Sequence, residues 1–413
     1  MRSLLEESFR AAVSAADPLK ILGPRLPSPP RGRTFVAAAG KAAASMALAV
    51  EQHFRGELDG IAITRYGHSL PTRKIRVVEA GHPVPDEAGE AAAREILQRT
   101  SELRSNDLLL ALLSGGGSSL LSLPAADIPM ADLKAVTQQL LRSGAAIQEM
   151  NVVRKHLSAI AGGRLAAATQ ASVLALIISD VTGDDPTHIA SGPCAPDPTT
   201  YADALEILKR YRLTPPASVK LRLEKAADET PKPGHAVFSR VTNEVIATSH
   251  RSLEAAAEVF RNNGITPVIL GDTITGEAAE AAKVLASLVK EMRQYASPWK
   301  PPVALISGGE CTVTLRGEDG RGGRCTEFLL SLGIETGGIW ALAADTDGID
   351  GSEDNAGAVL APDSLKRAQA TQLNAKSLLS LHDSYGFFSA LGDLIVTGPT
   401  RTNVNDYRAI LVL

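Results

Sequence analysis

An unbroken apolar run, Leu108 to Leu113, stops abruptly on Ser114-Gly115-Gly116-Gly117-Ser118-Ser119. Six apolar residues without polar alternation are too short for a lone helix and suit a strand buried on both faces of a parallel sheet. That strand commits the chain to an α/β architecture. The three glycines let the backbone turn sharply and bring its N–H groups against an anion, and the hydroxyls of Ser114, Ser118 and Ser119 add donors. The plainer reading is a flexible strand-to-helix turn, and a single Gly-rich loop does not separate the two.

With 413 residues the chain is long enough for two or three domains. A net charge of -4 argues against the dense basic face that a nucleic-acid backbone or an acidic membrane surface requires, so small ligands are expected. Cys194, Cys311 and Cys325 are odd in number and far apart, which excludes a disulfide framework and a Cys-x-x-Cys metal site and fits a reducing cytoplasm. Met1 to Ala16 carries Arg2, Glu6, Glu7 and Arg10 and reads as an amphipathic helix rather than a secretory signal. No apolar run approaches the ~20 residues that span a bilayer, so a soluble protein is expected.

Along the first half, a strand at Thr34 to Ala39 ends on Gly40-Lys41, and Ala42 to His53 has good helix propensity. Lys41 therefore sits where an anion would be attracted, although a solvated lysine is the commoner fate. Strands follow at Ile61 to Arg65 and Ile75 to Ala80. Next comes the stiff loop Gly81-His82-Pro83-Val84-Pro85-Asp86, with Asp86 as N-cap of a helix to Thr100. His82, between Gly and Pro, suits a loop-shaping or substrate-edge role better than a general base. A helix from Ala145 to Ser158 carries Asn151, Arg154, Lys155 and His156. Its cations either share an anion-facing side or complement the helix dipole. The buried strand Val173 to Ser179 opens into Asp180-Val181-Thr182-Gly183-Asp184-Asp185-Pro186. Acids at the C-terminal end of a parallel strand are hard donors suited to Mg²⁺, which makes Asp180 and Asp184 metal candidates, with Asx turns as the alternative.

The stretch from Pro215 to Gly234 is charged and weakly periodic, so a domain boundary is placed at residue 235, with a new α/β unit starting at Val241. Its strands are Glu244 to Thr248, Thr266 to Leu270 and Val303 to Ser307, with helices Ser252 to Asn263 and Gly276 to Arg293. Ser307-Gly308-Gly309-Glu310 repeats the strand-then-glycine chemistry, and a second Gly-rich stretch from Gly317 to Gly323 ends in Arg324, followed by Glu327. A guanidinium there suits a carboxylate or phosphoryl oxygen. A strand from Ile339 to Ala344 runs into Asp345-Thr346-Asp347-Gly348-Ile349-Asp350-Gly351, which fits no EF-hand register but leaves Asp347 as a further Mg²⁺ candidate. Two strands are expected to close the chain between Leu391 and Leu413.

Taken together, Gly40-Lys41-Ala42, Gly81 to Pro85, Ser114 to Ser119, Asn151 to Ser158, Ser179 to Pro198, Ser307 to Glu310, Gly322-Gly323-Arg324 through Glu327-Phe328, Thr346 to Gly351 and Thr397 to Asp406 resemble the class II glycerate 2-kinase family. The C-terminal part of that family is often called the MOFRL domain. The matching blocks keep a consistent order over nearly the whole chain. The resemblance implies a Rossmann-like N-terminal domain with a parallel sheet (1–235), a smaller α/β MOFRL-type domain (236–413), and an active site in the cleft between them. It also implies ATP- and Mg²⁺-dependent phosphorylation of D-glycerate at its 2-hydroxyl. On the family's pattern Lys41 and Arg324 carry over as catalytic. The sequence departs at Cys325-Thr326, where Asn-Gln is usual, and at Asp345, where Gly is usual.

The expected arrangement is then as follows. Ser114, Gly115, Gly116, Gly117, Ser118 and Ser119, with Gly308, Gly309 and Glu310, bind the nucleotide. His82, Arg154, Lys155 and Glu327 bind substrate, and Asp180, Asp184 and Asp347 serve Mg²⁺. Phosphoryl transfer asks the protein mainly for positioning and charge compensation, which cations at Lys41 and Arg324 supply. The expected partners are D-glycerate and ATP, with no nucleic acid and no membrane; a homodimer is allowed but not decided by the sequence. Two rivals stand beside this reading. An NAD(P)H-dependent hydroxypyruvate reductase would want Gly-x-Gly-x-x-Gly after a strand, and Leu120 breaks that pattern. A non-catalytic phosphosugar-binding protein would not need Lys41, Asp184 and Arg324, all of which are present.

Overall fold

The computed structural model describes residues 1–315 and 320–413; Gly317, with which the second glycine-rich stretch begins, lies outside the described residues. The chain divides into two compact units. One is Pro18–Ile246; the other joins Met1–Asp17, with helix α1 (Arg2–Ala15), to Ala247–Leu413.

In the unit Pro18–Ile246 a single sheet is built from β1 (Thr34–Ala39), β2 (Leu58–Arg65), β3 (Ile75–Ala80), β4 (Leu108–Leu113), β5 (Ser172–Ile178) and β6 (Val241–Ala247), in the order β3-β2-β1-β4-β5-β6. The pairings from β3 through β5 are parallel. The apolar run of β4 lies centrally. Leu109, Ala111 and Leu113 join one core with Phe35 and Ala37, while the alternating Leu110 and Leu112 are equally buried on the opposite face. The chain moves outward from β1 to β3 and then returns to β4 on the other side of β1. The β1/β4 junction is therefore the point where the strand order reverses.

The helices of this unit include α2 (Ala43–His53), α3 (Glu87–Ser101), α4 (Met130–Arg142), α5 (Ile147–His156) and α6 (Tyr201–Arg210). Asp86 caps α3 as expected, accepting from the Gly89 N–H at 3.0 Å. Helices α4 to α6 share an apolar cluster that includes Val136, Leu140, Val153 and Ile207. That cluster also claims part of the weakly periodic stretch: Val219 and Leu223 sit one helical turn apart and fully buried, so Ala217–Lys225 is helical. The strand expected to open the second domain instead completes the first sheet as β6, because Val241 and Val245 pack onto the first core. The two units accordingly meet in sequence at Ile246 and Ala247.

The second unit has its own sheet of β7 (Thr266–Gly271), β8 (Val303–Ser307), β9 (Trp340–Asp345), β10 (Gly357–Leu360), β11 (Leu394–Ile395) and β12 (Asp406–Val412), ordered β11-β10-β9-β12-β8-β7. Only β7 and β8 are parallel, and the remaining pairs are antiparallel. Its helices include α7 (Ser249–Asn262), α8 (Ala278–Tyr295) and α9 (Arg324–Thr336). On one face Ala304, Ile306, Leu342 and Ala409 pack against α7 and against Leu5, Phe9 and Ala12 of α1. This apolar stripe is what draws the N-terminal helix into the C-terminal unit. On the other face Leu305, Ala343 and Ile410 pack against α8 and α9. Asp345, Asp406 and Arg408 continue the alternation of this second face and so come to lie on the α9 side.

Candidate active site

Two sets of charged and glycine-rich residues stand at strand ends, one in each unit. In the first, β1 and β4 both deliver their C-terminal ends to the point of strand-order reversal, where open α/β sheets bind ligands. The turns after the two strands are tied together. The Lys41 N–H donates to the Gly115 carbonyl at 2.8 Å, and the Ala42 N–H donates to Ser114 Oγ at 3.1 Å. Gly116 sits at φ +79°, a conformation costly for a side-chain-bearing residue, and a Cβ there would lie 2.8 Å from His82 Nε2 and 3.4 Å from Lys41 Cγ. The lysine stem and the imidazole edge thus flank one glycine. Among the described residues, the N–H groups of Gly115 and Gly116 have no protein acceptor.

The serines divide in their roles. Ser114 is buried and holds the Ala42 turn, and Ser119 Oγ donates back to the Gly116 carbonyl at 3.1 Å. Ser118 Oγ lies 2.9 Å from Ser191 Oγ, which is itself 3.3 Å from Asn151 Oδ1. Ser118 and Ser119 line a cavity with Pro83, Val84, Arg154 and Ser191. Arg154, delivered there by α5, is the informative cation. Burial pulls its guanidinium below the ordinary arginine range, and among the described residues no carboxylate pairs with it. An uncompensated, desolvated guanidinium beside unsatisfied loop donors is an anion receptor.

Its sequence neighbour is not. Lys155 is fully buried, 3.4 Å from the equally buried Asp197, in a network with His156 and Glu229. Burial lowers its pKa and Asp197 opposes that shift. Consecutive helical residues point about 100° apart, so only one of the two cations reaches the cavity, and the expected substrate role of Lys155 gives way to a core ion pair.

In the second unit, Arg324 opens α9 and is surrounded by carboxylates. Nε donates to Asp406 at 2.6 Å, Nη2 to Asp345 at 2.7 Å and Nη1 to Glu310 at 2.8 Å. Burial alone would lower its pKa, but attraction from Asp406, Asp345 and Glu310 outweighs that and holds it well above the ordinary arginine value. Asp345 and Asp406 are buried, whereas Glu310 is largely exposed. Gly308 and Gly309 belong to the turn that delivers Glu310. The Gly309 carbonyl accepts from the Asp406 N–H at 3.1 Å. Asp350 accepts from the N–H groups of Cys325 and Thr326, both at 2.9 Å, and so satisfies donors in the first turn of the helix that carries Arg324. A Cβ on Gly323 would lie 2.2 Å from Asp350 Oδ1, so this contact requires glycine. Glu327 is buried and 3.0 Å from His382 Nδ1; burial raises its pKa against the effect of that hydrogen bond. Arg324, Glu310 and Glu327 share one open depression.

Residues 4–224 match the model of a domain of unknown function, DUF4147, and residues 303–406 match the MOFRL family. A Pyrococcus horikoshii protein named glycerate 2-kinase is 41% identical over 383 residues, covering 91% of this chain and 86% of its own. The chain belongs to the glycerate kinase family. A crystal structure of glycerate kinase from Thermotoga maritima has 37% identity and a TM-score of 0.87, covering 100% of this chain and 99% of that one. An Agrobacterium vitis protein that carries a provisional hydroxypyruvate reductase name is 50% identical over 419 residues, 100% of this chain and 94% of its own.

Within this glycerate kinase family member, the expected metal donors differ in their surroundings. Asp347 is buried and its Oδ1 accepts the Ile349 N–H at 2.8 Å, which makes it a loop-former rather than an open donor. Asp180 and Asp184 follow β5, the strand beside β4, and both are partly exposed. Among the described residues no group of three or more His, Cys, Asp and Glu could by itself hold a metal ion. Mg²⁺ at kinase sites takes only one or two carboxylates and completes its shell with phosphate oxygens and water, so Asp180 and Asp184 fit that limited role. All three cysteines are free and buried, and among the described residues no helix is long and apolar enough to cross a membrane.

The sequence reading missed Asp406, Arg408, Asp350 and His382 as contributors. The signal for the first two was present: charged residues at positions 406 and 408 alternate with apolar ones in a core strand, which puts both charges on one face.

Proposed function

We propose that the protein transfers the γ-phosphoryl group of ATP to the 2-hydroxyl of D-glycerate, giving 2-phosphoglycerate. The observation that carries this is the convergence of Lys41, His82 and the Gly115-Gly116 N–H groups on the strand-reversal point, with Arg154 in the adjoining cavity and, among the described residues, no carboxylate paired with that arginine. The names of the relatives point to the same chemistry.

In this reading the N–H groups of Gly115 and Gly116 and the hydroxyl of Ser118 take phosphate oxygens. Lys41 offsets the charge that develops on the transferring group. Arg154 holds an anionic group of a ligand in the adjoining cavity, and His82 donates or accepts at the rim. Mg²⁺, bound through phosphate oxygens with Asp184 or Asp180 in support, would neutralise phosphate charge. Arg324 serves the same reaction from the second unit with Glu310 and Glu327 nearby. Non-additive losses in the Lys41→Ala/Arg324→Lys double variant would support that shared role.

The test is a coupled assay containing enolase but no phosphoglycerate mutase, because only 2-phosphoglycerate feeds it directly. Signal dependent on ATP and D-glycerate is expected; signal only after mutase is added would reassign the product to 3-phosphoglycerate. The name of the Agrobacterium vitis relative supplies a second reading, NAD(P)H-dependent reduction of hydroxypyruvate. The loop after β4 argues against it, since Leu120 stands where a dinucleotide fingerprint needs its last glycine. Steady oxidation of NADH or NADPH with hydroxypyruvate would reinstate it.

A further inference from the structure

Among the described residues, Arg408 heads the largest fully buried side chains. Its guanidinium donates to Asp406 Oδ2 at 2.6 Å and to the Gly308 carbonyl at 2.9 Å, lies 3.2 Å from Cys311 Sγ, and stacks 5.2 Å from the centre of the Phe328 ring. Asp406 in turn uses its other oxygen, Oδ1, to accept from Arg324 Nε. The three groups form one line, Arg408 to Asp406 to Arg324, from the middle of the second sheet to its open end. Both anchors of that line are rigid: β12 is hydrogen-bonded on both sides, and Phe328 belongs to α9, the helix that starts at Arg324.

A buried ion pair adds little stability over apolar side chains of the same volume, so its contribution here is directional rather than energetic. A carboxylate bonded on both oxygens cannot rotate. It therefore fixes the Nε edge, and with it the plane, of the guanidinium it holds. Arg408 also holds the Gly308 carbonyl, whose turn delivers Glu310 to Arg324 Nη1.

We propose that Asp406 and Arg408 are positioning residues that set the orientation of the Arg324 guanidinium for phosphoryl transfer, without touching substrate themselves. The proposal rests on the assignment of Arg324 to the reaction. Asp406 fixes the arginine directly, and Arg408 locks Asp406 and the Gly308 turn together.

Chemical rescue separates the two layers. Arg324→Gly is expected to lose turnover and to regain part of it when methylguanidinium is added. Arg324→Gly/Asp406→Asn is expected to gain nothing, because the cradle no longer orients the added cation. Asp406→Asn alone should lower kcat about 100-fold, the scale of a misplaced catalytic group, while the KM for ATP stays within about threefold. Arg408→Lys, which keeps the charge but loses the planar fork, should fold with a melting temperature near wild type and show an intermediate kcat loss. It serves as the reference if Asp406→Asn fails to fold. Wild-type kcat in Asp406→Asn or Arg408→Lys, with Arg324→Gly folded by circular dichroism yet inactive, overturns the positioning role alone, and so does equal rescue of the double variant. Wild-type kcat in Arg324→Gly removes the assignment of Arg324 and the positioning role with it.

Discussion

Asp345 and Asp406 are directly opposed partners on antiparallel strands, both buried, and the guanidinium of Arg324 bonds to each. Like charges facing one another across a sheet are destabilising, so the arginine is part of what lets the two strands end in acid. The group assigned to the reaction is thus also a structural counter-ion.

This bears on what happens when Arg324 is removed. A purely catalytic role for Arg324 would let its replacement cost turnover without unfolding. The opposed carboxylates predict otherwise: Arg324→Met should lose about 3–5 kcal/mol of stability, the usual cost of breaking a buried pair. Adding Asp345→Asn should restore part of it. Urea unfolding of wild type, the single variant and the double variant measures both effects. Equal stability of wild type and Arg324→Met would mean the carboxylates find protons or solvent instead.

The turn after β1 is held by backbone contacts from Lys41 N and Ala42 N, which truncation of the lysine side chain leaves in place. Lys41→Ala should therefore lower kcat by about 10²–10³-fold, the scale of losing one charge-stabilising donor, with an unchanged melting temperature. Gly116→Ala should mimic part of this loss through strain at φ +79° and crowding of His82 and Lys41. Parallel kcat and thermal-melting measurements decide it; full activity in Gly116→Ala would mean that the glycine is not where the ligand docks.

Arg154 makes the opposite case to Arg324. Removing a partly buried, desolvated cation relieves desolvation and, among the described residues, strands no carboxylate, so Arg154→Met should be as stable as wild type or more so. Its ligand affinity should fall, with KM for one anionic substrate rising about tenfold or more. Phosphate should raise the melting temperature of wild type more than that of the variant. Identical phosphate response in the two proteins would assign the anion elsewhere.

Much of the first unit was legible because local pattern and global burial agree there. β1, β3 and β4 fall at the expected residues, and the glycine loop lands at the strand-reversal point. What sequence could not give was long-range pairing. Nothing near Val241 says that it joins a sheet begun at Thr34, and nothing near Leu5 and Phe9 says that they pack on α7. The same limit explains the sites. Lys41 and Arg324 were visible as cations next to glycine, but the distinction between Arg154 and Lys155 depends on which way one helix faces. The three carboxylates around Arg324 come from separate segments, at positions 310, 345 and 406.

Asp350 supplies a pH signature for the surroundings of Arg324 in the second unit. Burial lifts its carboxyl from 3.8 to about 6, against the hydrogen bonds from Cys325 and Thr326 that favour the ionised form. In the unfolded chain the group would titrate near its ordinary value. Between about pH 4 and pH 6 the folded protein therefore holds a proton that the unfolded chain has released. That contribution is fully present below the unfolded value and is lost as pH rises through the folded one. A lift of about two units at about 1.4 kcal/mol each makes it about 3 kcal/mol. Other carboxylates run the opposite way: Asp197 and Asp86 have lowered values despite burial, through the Lys155 charge in one case and the Gly89 N–H in the other. The raw stability curve sums all of these, so the observable is the difference between wild type and Asp350→Asn. Urea unfolding at pH 7 and pH 4 should show wild type gaining about 2.5 kcal/mol relative to the variant on acidification, most of the full contribution. A difference that stays flat across that range would mean that Asp350 enters the folded protein ionised, held by the helix donors more strongly than burial opposes it.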